Sequence, residues 1–421
     1  MILIFVLWLL LSPATVYAYL DPGSGAVLVN IIIAGIAALL YSFKNVILRL
    51  FGKNSPIKDQ ANTKQIGILS EGTQYSATFQ PIINAFLEHK IPFSYYTLDI
   101  DDPALTIDNE LMDSHFLGFK KWGFSRASIL KVDNLLCTTP NIGVSGYPIK
   151  KSPDIKNLIH IFHSINDLAM YKKGSLDNYD TVLMVGPFQE KSIRELETKR
   201  NLKLKKLVSV GLPYLDVYSE SNNKDDKNKE SQKTILIGSS WGDKGLLKVY
   251  GIDFIKQLVA YDYNVIIRPH PQSYTSERDF IKKLKNETKY LHNVLWDDSI
   301  SPVESMVKAD ILISDTSSLR FDFAFIFNKP VITLQINTEL MPGYERDDLS
   351  SIWMEEAEKK IGPIINKESI YNINGIIEKA IEEFHPNRII NFRNETVVNY
   401  GKAGEAVAEY FSDYALKGDN D

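Results

Sequence analysis

The sequence predicts an α/β chain of two doubly wound domains that face each other across a cleft, preceded by an N-terminal hydrophobic membrane segment. Three observations predict this. Short β-branched runs alternate with helical periodicity in two separate series, over 65–218 and over 234–416. A nearly all-polar stretch, 219–233 (SESNNKDDKNKESQK), parts the two series and reads as a solvated linker. Residues 1–53 are a different material, with long runs that carry no charge.

That N-terminal stretch reads MILIFVLWLLLSPATVYAYL over 1–20, breaks at Asp21-Pro22-Gly23-Ser24-Gly25, and is uncharged again over 26–43 before Lys44, Arg49 and Lys53. One reading is a signal peptide ending at Val16-Tyr17-Ala18, although it lacks a positive n-region. The other is two membrane helices joined by a tight turn, each nearly long enough to cross an apolar core of ~30 Å. A buried soluble hairpin is the blander option, and uncharged runs of this length are rare in globular cores. The basic residues that follow place the bulk of the chain on the cytoplasmic side of the inner membrane under either membrane reading.

Composition narrows the rest. At 421 residues the chain is long enough for two cored domains. A net charge of −5 argues against nucleic acid as the main partner. The single Cys137 excludes an intramolecular disulfide and fits a reducing compartment. No Cys/His spacing suits zinc, so neither a metal nor another cofactor is expected.

The first series predicts strands at 65–69, 93–98, 157–163, 180–185 and 207–210, with helices over 79–89 and 189–200. Between 99 and 155 only LLCTTP reads as a strand. The second series is more regular. It predicts strands at 234–238, 264–268, 293–296, 311–314 and 331–334, and helices near 245–261, 277–284 and 303–307. Helices at 373–384 and 403–414 finish the second domain or cross back to the first.

Polar residues cluster where these strands end. Ile311-Leu312-Ile313 runs into Ser314-Asp315-Thr316-Ser317-Ser318, and Leu319, Phe323, Ala324 and Phe327 follow at helical spacing. A strand that turns directly into a helix aims free N–H groups and the positive dipole end above the sheet edge, and Ser317 and Ser318 add hydroxyl donors for a phosphate. Most such clusters are ordinary N-caps. Arg268-Pro269-His270-Pro271 follows another strand, and its prolines hold both polar side chains in place. Arg268 could fork onto a phosphate or pair with a buried carboxylate, and His270 could donate to a phosphate oxygen or protonate a leaving group. His163 closes a strand before Ser164-Ile165-Asn166-Asp167, a place for a general base, although a lone histidine there is more often a satisfied core residue. Ser239-Ser240-Trp241-Gly242 after TILIG is a further edge, closer to backbone packing near a nucleotide than to chemistry.

Three stretches together, FHS…KKG (162–174), IIRPHP (266–271) and SDTSSLRFDFAFIFNKPVI (314–332), resemble the CDP-glycerol glycerophosphotransferase family, enzymes of teichoic-acid-type polymer synthesis. Gly343-Tyr344-Glu345-Arg346-Asp347 is similar to that family's segment after the K-P-hydrophobic strand. The resemblance covers roughly 65–409. It implies two Rossmann-like domains of the glycosyltransferase B (GT-B) type and transfer of glycerol phosphate from CDP-glycerol, or a related CDP-polyol, to a hydroxyl of a lipid-linked or surface-glycan acceptor. By match of motif, Ser317, Ser318 and His270 would hold the pyrophosphate, Asp322 would reach the ribose hydroxyls, Arg268 would support the site and His163 would be the base. Asp315, Thr316, Ser239 and Ser240 complete the expected donor edge. The family's W-H-G-x-P is Phe162-His163-Ser164-Ile165-Asn166 here, and its A-P-T-W is Gly238-Ser239-Ser240-Trp241. The N-terminal YLDPGSG hairpin resembles a small membrane module found on various surface-polysaccharide proteins. Two other classes stay open: a nucleotide-sugar glycosyltransferase or epimerase of the same fold, and a binding module without turnover.

Overall fold

The computed structural model describes residues 65–219, 232–299, 301–335 and 343–415; the expected membrane segments 1–20 and 26–43, and 220–231 of the expected linker, lie outside them. The first series folds into a sheet of β1 (Ile66–Ser70), β2 (Phe93–Thr97), β3 (Met112–Phe116), β4 (Asn134–Cys137), β5 (Asn157–Ile161), β6 (Thr181–Met184) and β7 (Lys206–Ser209). Its order is β3-β2-β1-β4-β5-β6-β7, and every neighbouring pair is parallel. The second series gives β8 (Thr234–Gly238), β9 (Asn264–Arg268), β10 (Val294–Trp296), β11 (Ile311–Ser314), β12 (Val331–Leu334) and β13 (Ile364–Ile365), in the order β10-β9-β8-β11-β12-β13 and again parallel.

The reason lies in the strand sequences. β1, β4 and β11 are buried along their whole length, as strands covered by helices on both faces must be. Parallel neighbours then need crossover helices. In the first half these are α1 (Ser76–Glu88), α2 (Lys120–Ala127), α3 (Glu190–Arg200) and α4 (Tyr214–Ser219). In the second they are α5 (Leu246–Ala260), α6 (Ser273–Ser276), α7 (Arg278–Thr288), α8 (Val303–Lys308), α9 (Leu319–Phe327), α10 (Trp353–Ile361) and α11 (Ile373–Glu382). Then come α12 (Pro386–Thr396) and α13 (Ala403–Ala415). The strand order reverses between β1 and β4 and again between β8 and β11. Each reversal opens a crevice at the carboxyl ends of the strands.

β3, α2, β13, α10 and α12 are not in the sequence reading. α2 escapes it because its buried face is only Gly123 and Ala127, which leaves no apolar stripe to detect. A Cβ on Gly123 would lie 2.3 Å from the Gly118 carbonyl oxygen, so the helix seats its backbone directly against its own entry loop.

The chain does cross back at its end. Val407, Ala408 and Phe411 of α13 share a buried cluster with Phe79, Phe86 and Phe93 of the first half. The first N–H groups of α13, from Ala403 and Gly404, donate to the Asp216 carboxylate of α4 at 3.1 and 2.7 Å. The halves are also pinned through the segment after β12. Lys173 N–H donates to Gly343 O at 2.9 Å, Glu345 N–H to Tyr171 O at 2.7 Å, and Gly174 N–H to Glu345 Oε1 at 2.9 Å. The Arg200 guanidinium on α3 gathers Glu345, Asp348 and Asp177, and Lys173 reaches Asp348 at 2.9 Å. With Glu345 buried, this ion network is held by geometry as much as by charge.

Candidate functional site

At the second crevice, the loops after β8 and β11 are tied together by one carboxylate. Asp315 is wholly buried. Its Oδ2 accepts from Ser240 Oγ at 2.8 Å and Leu246 N–H at 2.8 Å, while its Oδ1 accepts from Ser317 N–H at 3.1 Å. Ser240 N–H is shared between both oxygens at 3.0 Å. The carboxylate therefore sits on the N-terminus of α5, where the helix dipole favours negative charge. Ser239 Oγ accepts from Leu247 N–H at 3.2 Å, the next free donor of the same helix. Asp315 was expected at the donor edge, and Ser239 and Ser240 were expected there chiefly as backbone packing near a nucleotide. Their hydrogen bonds here build the edge, because the backbone donors of two loops and a helix would otherwise be buried unpaired.

Arg268 takes the second of its two expected roles, pairing with a carboxylate. It is buried at the end of β9 and binds Asp297 Oδ2 at 2.6 Å and Ser299 Oγ at 3.2 Å. The guanidinium holds the RPHP turn from beneath. His270, at the tip of that turn, is exposed, and its Nδ1 accepts from Gln272 N–H at 3.1 Å. The neutral ring therefore carries its proton on Nε2, ready to donate to an anion. Although its edge is exposed, the turn partly desolvates the ring and holds its pKa below the ordinary histidine value, against the opposing pull of Asp315 and Glu277. Glu277 was not foreseen. Its carboxylate accepts from Gly242 N–H at 3.1 Å and Ser273 Oγ at 2.8 Å, linking the loops after β8 and β9.

Ser317 and Ser318 form the entry to α9. Ser317 Oγ accepts from Leu319 N–H at 3.3 Å, and its carbonyl accepts from Arg320 Nε at 3.1 Å. Arg320 is itself buried and bound to Glu358 at 2.6 Å, a prop that the sequence signalled only as a cation inside an apolar helix. Among the described residues the hydroxyls of Thr316 and Ser318 have no protein partner, so both remain available at a helix N-terminus. Thr316 opens onto a cleft of about 570 Å³ whose lining includes Arg346 and, from the first half, Met170.

Asp322, in the first turn of α9, faces the first half. Its Oδ1 accepts the Tyr214 hydroxyl, and burial pushes its pKa up to about 7. A carboxyl with a folded pKa above its unfolded value of ~3.9 binds its proton more tightly when folded, so its contribution to stability is full below that value and is lost as pH rises through about 7. Asp322→Asn removes that term while keeping an acceptor for Tyr214. Its unfolding free energy is expected to fall more steeply than wild type between pH 7 and 5, by up to about 1.4 kcal/mol per pH unit, in denaturant titrations across that range.

In the first half, the crevice between β1 and β4 carries polar groups that the protein leaves unsatisfied. His163 follows β5, and its ring meets Tyr75 edge-on with centroids 5.2 Å apart. Its Nδ1 is shut away without a partner, and burial lowers its pKa to about 4. Thr138 Oγ1, Thr139 Oγ1 and Asn166 Oδ1, beyond the ends of β4 and β5, are likewise buried without partners. Such orphans are rare in folded proteins and here crowd one sheet edge. Tyr75, Thr138 and Thr139 are absent from the sequence reading, because scattered hydroxyls in a poorly patterned region give no periodic signal. Beneath them His160 donates to or accepts from the Tyr171 hydroxyl at 3.0 Å, with its pKa lowered by burial to about 3. The loop that begins at His163 continues to Met170, so both halves meet in the same cleft.

Two parallel doubly wound domains with polar groups gathered at their strand ends have the GT-B architecture. Solved structures agree on the fold. The wall teichoic acid polymerase TagF matches at 15% identity with a TM-score of 0.53, covering 92% of this chain and 99% of that one. A TagF structure soaked with CDPG matches at 14% identity and 0.54, with 92% and 99% covered. The UDP-GlcNAc 2-epimerase of Methanocaldococcus jannaschii, in complex with UDP-GlcNAc and UDP, matches at 13% identity and 0.54, covering 83% of this chain and 99% of that one. No curated protein matches the chain. The family model of CDP-glycerol:poly(glycerophosphate) glycerophosphotransferase matches residues 163–366, and over that segment the chain is similar to CDP-glycerol glycerophosphotransferases. The matched segment begins at His163 and takes in the RPHP turn and the SDTSS loop.

Proposed function

We propose that the protein transfers glycerol phosphate, or a similar polyol phosphate, from a CDP-linked donor to a hydroxyl of a lipid-linked or surface-glycan acceptor at the cytoplasmic face of the inner membrane. The observation that carries this reading is the division of chemistry between the halves. One crevice offers an uncharged histidine with an unpartnered ring nitrogen among orphan hydroxyls. The other offers a helix N-terminus, free hydroxyls and an Nε2–H donor for an anion. In the reaction the acceptor oxygen forms a bond to the β-phosphorus of the donor, the bond from that phosphorus to the CMP oxygen breaks, and CMP leaves with both electrons. His163 takes the acceptor proton. Thr316, Ser318, the first N–H groups of α9 and His270 stabilise the charge that develops on the departing phosphate. A donor dianion brought near His163 raises its basicity above that of the empty site.

The test is direct. Full-length protein in detergent or vesicles is incubated with CDP-glycerol and a lipid-linked glycan, and release of CMP and growth of the acceptor are followed together. The expected result is CMP release that depends on acceptor and falls at least tenfold in Ser317→Ala/Ser318→Ala, the loss of about 1.4 kcal/mol of phosphate stabilisation. Turnover of UDP-GlcNAc with none of CDP-glycerol would instead establish the nucleotide-sugar reading.

A further inference from the structure

α10 begins without a cap of its own. The residue before its first turn is Ile352, whose side chain offers no acceptor to the free N–H groups. The acceptor comes from the other half. Asp167, wholly buried in the loop that begins at His163, accepts Met354 N–H through Oδ2 at 3.2 Å and Ala169 N–H through Oδ1 at 3.0 Å. Met354 is the second residue of α10, where a capping side chain normally bonds, and the carboxylate meets the positive end of the helix dipole. An ordinary cap is supplied by the adjoining residue. This one spans 187 positions of chain.

The same loop is closed from its other side. Gln189, also wholly buried, donates through Nε2 to Asn166 O at 2.8 Å and accepts Val185 N–H at 2.7 Å. Its neighbour Phe188 stacks on Trp353, the first residue of α10, with ring centroids 4.0 Å apart. Asp167, α10, Phe188-Gln189 and Asn166 thus close a ring of contacts between the halves. Asn166 bonds back to Ser164 twice, N–H to O at 3.1 Å and Nδ2 to Oγ at 3.0 Å, so the ring is carried to the residue beside His163. Asp167 has no exposed surface, so it acts on a substrate only through the residues that it holds.

We propose that Asp167 is a positioning residue: by capping α10 it fixes residues 163–169 against the second half and so sets where the His163 ring stands. Its effect on rate rests on the transferase reading, in which His163 is the base; the placement of the ring is a property of the fold alone. Without the carboxylate, two buried N–H groups lose their acceptor and the loop relaxes away from α10. Displacing a reacting group by about 1 Å costs on the order of 10²-fold in rate.

The experiment compares full-length wild type, Asp167→Ala, Asp167→Asn and Glu195→Ala in detergent. Glu195 of α3 accepts Ser350 N–H and Oγ at 2.9 Å each, a bond between the same two halves that lies outside the His163 loop. The first readout needs no substrate: the rate at which diethyl pyrocarbonate modifies His163, read on its peptide by mass spectrometry. The second is kcat and KM for CDP-glycerol with a lipid-linked acceptor. In Asp167→Ala, modification of His163 is expected to quicken at least tenfold and kcat to fall about 100-fold, with KM for the donor unchanged. Asp167→Asn keeps one acceptor oxygen and should shift both in the same direction by less, which decides the matter where the alanine variant fails to fold. Glu195→Ala should lower the melting temperature with neither effect. Wild-type modification of His163 in whichever Asp167 variant folds overturns the inference. So do equal effects from Glu195→Ala, which would reduce the cap to interface packing. Wild-type protein that turns over no CDP-glycerol would defeat the transferase reading, while the modification of His163 still decides the placement.

Discussion

Asp315→Ala is expected to lower stability by about 3–5 kcal/mol and to abolish donor binding. The magnitude follows from what the carboxylate holds. Removing it leaves the N–H groups of Ser240, Leu246 and Ser317 buried without an acceptor and takes a negative charge off the start of α5. At about 2–4 °C per kcal/mol for domains of this size, the melting temperature should fall by around 10 °C. Asp315→Asn keeps one acceptor oxygen and should fall between the two. Calorimetry with and without CDP reads both effects. A variant that melts within about 1 °C of wild type would mean that the two loops are held by something other than this carboxylate.

His163→Ala is expected to lower kcat by about 10²–10⁴-fold and leave donor affinity unchanged, since a general base acts on the acceptor proton and not on the nucleotide. The pH dependence is the sharper part. Because burial holds the imidazole at about pKa 4, it stays unprotonated throughout the neutral range, and the acid limb of kcat/KM should fall near pH 4 rather than near the ordinary histidine value. An acid limb centred at 6.5 would show that a different, solvated histidine is the base. The same burial has a stability consequence of defined sign. Above ~6.5 the folded and unfolded forms of His160 and His163 are both neutral. Below it only the unfolded chain gains protons, so stability is lost as pH falls toward about 4.

Much of the fold was legible because buried parallel strands are continuous apolar runs. TILI, NVIIR and DILIS could be nothing else at their spacing, and the helices between them had one clear apolar face. The failures have physical causes. β3 is an edge strand of mixed pattern, MDSHF, and α2 buries a glycine and an alanine, so neither carries the period that marks an element. The candidate site was legible in its location more than in its roles. The strand-to-helix turns at Ser239, His270 and Asp315 come together as the motif spacing implied. Sequence could not say which polar side chains face solvent and which brace the backbone. Arg268 and Asp315 have the chemistry of ligand contacts, and the structure uses them to satisfy buried partners. The first-half crevice shows the reverse. Tyr75, Thr138 and Thr139 look unremarkable in the chain and gain significance only because their neighbours leave them unsatisfied or stack them on His163.

The contact of 171–174 with 343–348 is one line along which the two halves are joined, and Tyr214–Asp322 is another. Backbone bonds and the Arg200 network fix that line, so separation of the halves grows with distance from it. Met170 and Thr316 line the cleft beside it. His270 stands at the end of β9, three strand spacings or ~14 Å from β12, at the free end of the lever. His270 and the hydroxyls of α9 belong to one sheet, so an opening about that line would carry the whole anion-binding edge away from His163 together.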